Sequence, residues 1–166
     1  MPAITGLGHV GIYTEDLMAQ RDFYTRVLGL QISDEDIDGL GVVFLSADPE
    51  EEHHEVALFK GRTKSTGNEE IQQVSFKVGS IDELKEFYQR LVKEGVEVDR
   101  IISHGNAMGI YFFDPEGNRL EIYHKTGFNV PQPHAAPVDI NASAEELLAF
   151  MKSEIPPERV NVGAVD

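Results

Sequence analysis

Apolar and polar positions follow the same order in two successive parts of the chain. Each part opens with a short strand-like segment, continues into a segment with apolar residues at helical spacing, and ends in two or three more strand-like segments. His9 and Gln73, in the opening segments, are 64 residues apart, and so are Phe23 and Phe87 in the helical segments. The constant spacing predicts a duplicated βαβββ module.

Turn and capping residues delimit these elements. Ser80 followed by Glu83 predicts a capping box at the start of the second helix, and Gly29 and Gly95 stand where the two helices are expected to end. Glycine or an Asp-Pro pair punctuates the predicted later strands. These strands are residues 41–47, 53–59, 95–102, 109–113 and 119–124.

A single module would leave a sheet edge and an apolar face uncovered, so the two modules should pair. We expect an α+β fold in which they form one curved mixed sheet around a cleft. Beyond residue 125 the chain becomes proline-rich over residues 129–137, and Ser143 with Glu146 predicts a capped short helix. The predicted organisation is a domain of residues 1–125, with modules of about 4–62 and 70–125, and an extension of residues 126–166.

Charge and composition narrow the possible partners. The chain has 29 acidic and 14 basic residues, a formal net charge of −15, which would repel nucleic-acid phosphates and anionic lipids. We find neither an apolar run long enough to span a membrane nor a signal-peptide pattern, so we expect a cytoplasmic protein. Because the chain has no cysteine, any metal must be bound by imidazole, carboxylate or amide groups.

Glu121 is the residue that most directly indicates chemistry. It stands in the apolar strand that follows the Asp114-Pro115 turn, and an ionised carboxylate on the core side of a strand is costly unless a cation compensates it. A bound metal would be such a cation. A metal with open coordination positions can bind two adjacent oxygens of a substrate, while an imidazole such as that of His54 moves a proton.

Three segments resemble one known group of proteins. The run from Tyr111 to Glu121, Tyr-Phe-Phe-Asp-Pro-Glu-Gly-Asn-Arg-Leu-Glu, is similar to the carboxylate-ligand motif of extradiol ring-cleaving dioxygenases. His54 lies in a segment that resembles their acid/base histidine strand, and Gly8-His9-Val10 resembles their first-ligand strand. Over about residues 4–125 the chain thus resembles the vicinal oxygen chelate superfamily, which also includes glyoxalase I and the bleomycin and fosfomycin resistance proteins.

The resemblance implies a set of site residues. It makes His9 and Glu121 metal ligands, His54 the general acid/base, and Tyr111 with His104 the groups that orient a substrate oxyanion. At the second-ligand position, extradiol enzymes have histidine and this chain has Gln73, with Gln72 beside it. We therefore expect His9, Gln73 and Glu121 to bind a divalent metal. Fe(II) or Mn(II) is favoured, and Ni(II), Co(II) and Zn(II) are alternatives.

Three functions are compatible with this set. The favoured one is a metal-dependent enzyme of the extradiol dioxygenase type, a homodimer acting on an aromatic diol or hydroxy-carbonyl. The second is a glyoxalase-like lyase or isomerase, which would need a fourth ligand from the first module. Aligning the modules through Lys60 and Lys125 places Val56 at that position, with Glu55 next to it. The third is a non-catalytic, drug-resistance-type protein that binds a small molecule, since an amide is a weaker metal ligand than imidazole.

Overall fold

The computed structural model describes residues 8–62, 73–130 and 134–155. Gln72 and the prolines at positions 131 and 133 lie outside these residues. The chain divides into two compact units, of which the first is Met1–Glu70 with Asp114–Glu116, and the second is Ile71–Phe113 with Gly117–Asp166.

The first unit contains a four-stranded sheet and one helical segment. The helix α1 begins after Asp16, whose carboxylate accepts hydrogen bonds from the backbone N–H groups of Met18 and Ala19, and it continues as a π-helical turn over Phe23–Val27. The strand order is β1-β4-β3-β2, with β1 parallel to β4. The elements are β1 Val10–Thr14, α1 Leu17–Asp22, β2 Gln31–Asp36, β3 Val42–Ser46 and β4 Val56–Lys60.

The second unit contains a five-stranded sheet and two helices. Its strand order is β5-β8-β7-β6-β9, with β5 parallel to β8. The elements are β5 Val74–Lys77, α2 Ile81–Lys93, β6 Val98–Ser103, β7 Ala107–Phe113, β8 Arg119–Lys125, β9 Ala136–Pro137 and α3 Ala144–Ser153.

The predicted α+β class and duplication are confirmed, because the first four strands of each sheet have the same order and the same parallel pair. The strands form two sheets, one in each unit, where the sequence analysis expected one curved sheet. The glycines expected at the helix ends, Gly29 and Gly95, have φ of 80° and 71°, a conformation that glycine adopts without strain. β2 was not predicted as a separate strand, since Gln31–Asp36 is acidic and largely exposed.

Strand register corrects one equivalence between the modules. Gly11 pairs with Ala57 on the parallel β1–β4 ladder, and Ser75 pairs with Glu121 on the parallel β5–β8 ladder. Gly11 and Ser75 are 64 residues apart, and so are Ala57 and Glu121. Ala57, not Val56, is therefore the counterpart of Glu121; the alignment through the two lysines was one residue out of register.

Each unit buries its own apolar side chains. In the first unit the largest fully buried ones are those of Tyr24, Leu45 and Leu58. The second unit buries Leu84 and Leu91 on one face of α2, Ile110 and Phe112 of β7, and Met151 of α3. No described helix is long and apolar enough to cross a membrane.

The turn between β7 and β8 belongs to the first unit. The buried Tyr24 hydroxyl donates a 3.3 Å hydrogen bond to the Asp114 carboxylate, and the Glu116 carboxylate accepts from the backbone N–H groups of Glu15 and Asp16 at 2.7 and 2.8 Å. Arg62 also lies within 3.4 Å of the Glu116 carboxylate. These contacts satisfy donors of the first unit with acceptors from a distant part of the chain.

The extension packs within the second unit. β9 pairs with β6 through Ile102–Pro137 and Ser103–Ala136. The capping box predicted at Ser143 and Glu146 is present at the start of α3. Two apolar side chains of α3, Leu147 and Met151, are buried at 3% and 0% exposure, whereas Leu148 is exposed.

Candidate active site

A cavity of about 490 Å³ opens in the second unit, along strands β5, β7 and β8. Four of the residues predicted as site residues line it. The complete lining is Gln73, Ser75, His104, Asn106, Ala107, Tyr111, Glu121 and Tyr123.

Glu121 is buried at 6% exposure, as the sequence analysis expected. Its carboxylate oxygen Oε2 accepts a 2.6 Å hydrogen bond from the Ser75 hydroxyl and a 3.1 Å hydrogen bond from the Gln73 amide nitrogen. Ser75 faces Glu121 because the two residues are paired in the β5–β8 ladder. These donors are neutral, so they satisfy the Oε2 atom without neutralising the charge of the carboxylate.

Gly109 makes room for this carboxylate. A Cβ at Gly109 would overlap the Glu121 Oε1 atom and would lie 3.1 Å from its Cδ. Any larger residue at this position would therefore displace the Glu121 side chain. Neither Gly109 nor Ser75 was predicted as a site residue, although Ser75 is two positions after Gln73, the spacing that places strand residues on one face.

Tyr111 and His104 form a hydrogen-bonded pair on the cavity wall, with 2.9 Å between the Tyr111 hydroxyl and His104 Nε2. The pKa of the Tyr111 hydroxyl lies well above its usual value. Burial is the largest cause, followed by the hydrogen bond with Glu121 and the negative charge of Glu121. The nearby guanidinium groups of Arg100 and Arg119 oppose this shift. The hydroxyl therefore keeps its proton at physiological pH and can donate it in a hydrogen bond.

His9 and His54 lie together in the first unit, with 4.4 Å between their ring centroids. The His54 Nδ1 atom is also 2.9 Å from the Nδ1 atom of His53. Burial lowers the pKa of the half-buried His54, and the nearby imidazoles of His9 and His53 lower it further, against a smaller opposite effect of Glu52. His54 is thereby biased towards the neutral form, which is able to accept a proton.

The predicted site residues thus fall into two groups. His9 and His54 belong to the first unit, and Gln73, His104, Tyr111 and Glu121 belong to the second. Within residues 8–62, 73–130 and 134–155, no group of three or more His, Cys, Asp or Glu side chains is arranged to hold a metal. Only two of the predicted metal ligands, His9 and Glu121, are of these residue types, because the third, Gln73, is an amide. The predicted ligand set stays a prediction.

The chemistry of the donors in the second unit suits a hard divalent cation. Glu121 supplies a buried carboxylate with neutral partners, and Gln73 can supply an amide oxygen. The Gln73 amide would have to turn over to do so, since its nitrogen is the atom that now donates to Glu121. With the Gln73 amide turned over, the donors of the second unit fit a divalent metal.

A fourth ligand of the glyoxalase type has no candidate at the equivalent position of the first module. Ala57, the counterpart of Glu121, has a methyl side chain and is 1% exposed. Glu55 accepts a 2.8 Å hydrogen bond from the backbone N–H of Ala47.

Comparison with known proteins identifies relatives. The profile of the Glyoxalase/Bleomycin resistance protein/Dioxygenase superfamily matches residues 6–122. Biphenyl-2,3-diol 1,2-dioxygenase 2 of Rhodococcus globerulus is 31% identical over 126 residues, which cover 74% of this chain and 64% of that protein. Biphenyl-2,3-diol 1,2-dioxygenase 3 of the same organism is 31% identical over 123 residues, covering 70% and 61%. The chain thus spans less than two thirds of the length of these relatives.

One solved structure illustrates the likeness of the fold. Lactoylglutathione lyase from Agrobacterium tumefaciens aligns with a TM-score of 0.59 and 19% identity, covering 74% of this chain and 96% of that one. At this identity the likeness concerns the fold alone.

Proposed function

Because the chain belongs to the Glyoxalase/Bleomycin resistance protein/Dioxygenase superfamily, we propose that it is a divalent-metal-dependent enzyme of the extradiol dioxygenase type. The observation that carries the proposal is the buried Glu121 carboxylate in a cavity beside the Tyr111–His104 pair. The relatives named as biphenyl-2,3-diol dioxygenases support an aromatic diol as the substrate class. A homodimer and a cytoplasmic location stay predictions.

The proposed roles follow the chemistry of each side chain. His9, Gln73 and Glu121 would hold the metal, which would supply a positive charge that stabilises negative charge on the oxygens of a diol. The hydrogen-bonded pair of Tyr111 and His104 orients a substrate oxygen. His54 accepts a proton from the substrate and later returns it.

A second candidate function is supported by the hydrogen bonds of Glu121. Ser75 and Gln73 already donate hydrogen bonds to one of its carboxylate oxygens. Gln73 also supplies an amide at the position where extradiol enzymes have an imidazole. In this alternative the cavity binds a small aromatic molecule without catalysis. The two functions differ in whether the native protein binds a metal tightly.

The test is anaerobic titration calorimetry of metal-free protein with Fe(II), Mn(II), Ni(II) and Zn(II). Glu121→Ala removes the proposed carboxylate ligand, and Gln73→His restores the imidazole of extradiol enzymes. Glu97→Gln is the matched control, because it removes one negative charge from an exposed position. Oxygen consumption is then measured with the tight-binding metal and 2,3-dihydroxybiphenyl.

We expect one tight site in the native chain and in Glu97→Gln, its loss in Glu121→Ala, and diol-dependent oxygen consumption. Tight binding of Ni(II) or Zn(II) without oxygen consumption would direct the search to a glyoxalase-like reaction. Metal binding by Gln73→His alone would overturn the enzyme proposal in favour of the binding protein.

A further inference from the structure

A chain of hydrogen bonds leads from the cavity wall into the extension. His104 Nε2 faces the Tyr111 hydroxyl at 2.9 Å, and His104 Nδ1 lies 2.6 Å from the backbone carbonyl oxygen of His134. His134 is 30 residues further along the chain, in the segment that precedes β9. The extension therefore makes direct contact with a residue that lines the cavity.

The carbonyl contact decides where His104 carries its proton. A carbonyl oxygen only accepts hydrogen bonds, so Nδ1 of His104 must be protonated. A neutral imidazole has a single N–H, so Nε2 is then unprotonated and accepts a hydrogen bond from the Tyr111 hydroxyl. If Nε2 were protonated instead, the ring would donate to the hydroxyl oxygen and the pairing would be reversed.

Glu154, at the end of α3, holds the carbonyl of His134 in place. One oxygen of its carboxylate lies 2.7 Å from Nε2 of His134, and the other accepts a 2.7 Å hydrogen bond from the Ser103 hydroxyl. Ser103 is fully buried and directly precedes His104. The Glu154 carboxylate thus links His134, whose carbonyl contacts His104, to Ser103, which directly precedes His104.

Packing on the other side of His104 supports the same arrangement. Gly105 has φ of 72°, and a Cβ on it would lie 2.7 Å from Cβ of Val130, a buried residue of the extension. The Thr126 hydroxyl donates a 2.6 Å hydrogen bond to the Gly105 carbonyl. The loop that carries His104 is therefore enclosed by the extension over several residues.

We propose that His134 and Glu154 are positioning residues for the Tyr111–His104 pair. The His134 carbonyl, anchored through Glu154, locks the proton of His104 on Nδ1. Nε2 is then the ring nitrogen that accepts the hydrogen bond of the Tyr111 hydroxyl. The inference rests on the proposed function only in giving this pair a substrate-orienting role.

The test reads the tautomer of His104 directly. Long-range ¹H–¹⁵N correlation spectra of ¹⁵N-labelled protein distinguish the two ring nitrogens, and His104→Gln identifies the His104 signals among the six histidines. Spectra are recorded at about pH 9, above the ordinary range of imidazole titration, on native protein and on Glu154→Ala. Glu154→Gln keeps an acceptor oxygen for Ser103, and Glu145→Ala is the control at an exposed position of α3.

We expect native His104 to be protonated on Nδ1 alone, with no change in Glu145→Ala. Glu154→Ala should lose the single Nδ1–H signal and show the Nε2–H form, and Glu154→Gln should restore the native spectrum at least in part. If circular dichroism shows that Glu154→Ala does not fold, His134→Ala is measured in its place, because it removes the hydrogen bond to Glu154 and keeps the backbone carbonyl.

A native His104 protonated on Nε2 alone would overturn the inference. So would a folded anchor variant, Glu154→Ala or His134→Ala, whose His104 spectrum equals the native one. These spectra need neither metal nor substrate. Failure of the proposed dioxygenase function would appear in calorimetry and oxygen consumption, and is thus distinguishable from failure of the positioning role.

Discussion

Replacing Gly105 by alanine tests how tightly the extension is packed against the loop that carries His104. The new methyl group would lie 2.7 Å from Cβ and 2.9 Å from Cγ1 of Val130. Because the Cβ of valine is attached to the backbone, rotation of the side chain cannot relieve the overlap. The variant combines the cost of a left-handed conformation, about 1–2 kcal/mol, with overpacking of about 1–3 kcal/mol.

Gly117→Ala separates these two contributions. Gly117 has a similar φ, 80°, and a Cβ on it would meet no atom within 4 Å. It should lose only the conformational part, about 1–2 kcal/mol, whereas Gly105→Ala should lose about 2–5 kcal/mol. Urea denaturation followed by far-ultraviolet circular dichroism measures both, since the chain has no tryptophan.

A double-mutant cycle with Val130→Ala identifies the partner in the overlap. Removing two methyl groups of Val130 costs about 1.6 kcal/mol in burial alone, yet it gives the alanine at position 105 room. The double variant should be more stable than the sum of the single effects predicts, by about 1–2 kcal/mol. Equal losses for the two glycine variants, or strict additivity in the cycle, would refute the close approach.

Two further predictions concern the first unit. Tyr24→Phe removes the hydroxyl donor to the buried Asp114 carboxylate and should lower the free energy of unfolding by about 1–2 kcal/mol. The control Tyr88→Phe, at the half-buried equivalent position of the second module, should change this free energy by less than about 0.5 kcal/mol. Equal effects of the two variants in urea denaturation would contradict the prediction. Arg21 lowers the pKa of Glu35 chiefly through a hydrogen bond, so the pair stabilises the fold above the unfolded pKa of Glu, about 4.3, and this stabilisation is lost as pH falls through the lower folded pKa. The native protein should therefore exceed Glu35→Gln in stability by about 0.5 kcal/mol at pH 7. The difference should shrink as pH falls below the unfolded pKa of about 4.3 and vanish below the folded one, and a difference that persists in strong acid would exclude the ion pair as its cause.

Much of the fold could be predicted because buried positions recur in the sequence. The common spacing of His9 with Gln73 and of Phe23 with Phe87 reflects two sheets with the same strand order. β2 could not be predicted in this way, since its side chains are mostly acidic and exposed and show no apolar alternation. The one-residue error in the counterpart of Glu121 arose because the two lysines are not equivalent: Lys60 pairs with Thr14 on the β1–β4 ladder, whereas the β5–β8 ladder ends at Tyr123, before Lys125.

The candidate site was predictable where side chains carry the signal. The burial of Glu121 is confirmed, and Ser75 could have been found from its place two residues after Gln73 on one face of a strand. The contact between His104 and the carbonyl of His134 could not have been found. A backbone acceptor is present at every residue, so no sequence pattern indicates which one a histidine will meet.

The turn Asp114–Glu116 has a consequence for how such a duplicated chain can be divided. A fragment that ends at residue 70 would retain the donors of Tyr24 and of the backbone at Glu15 and Asp16, and would lose the carboxylates that receive them. Cutting the chain at the junction of its two repeats therefore does not yield a self-sufficient half. A first module produced on its own would need acceptors for these three donors from outside its own sequence.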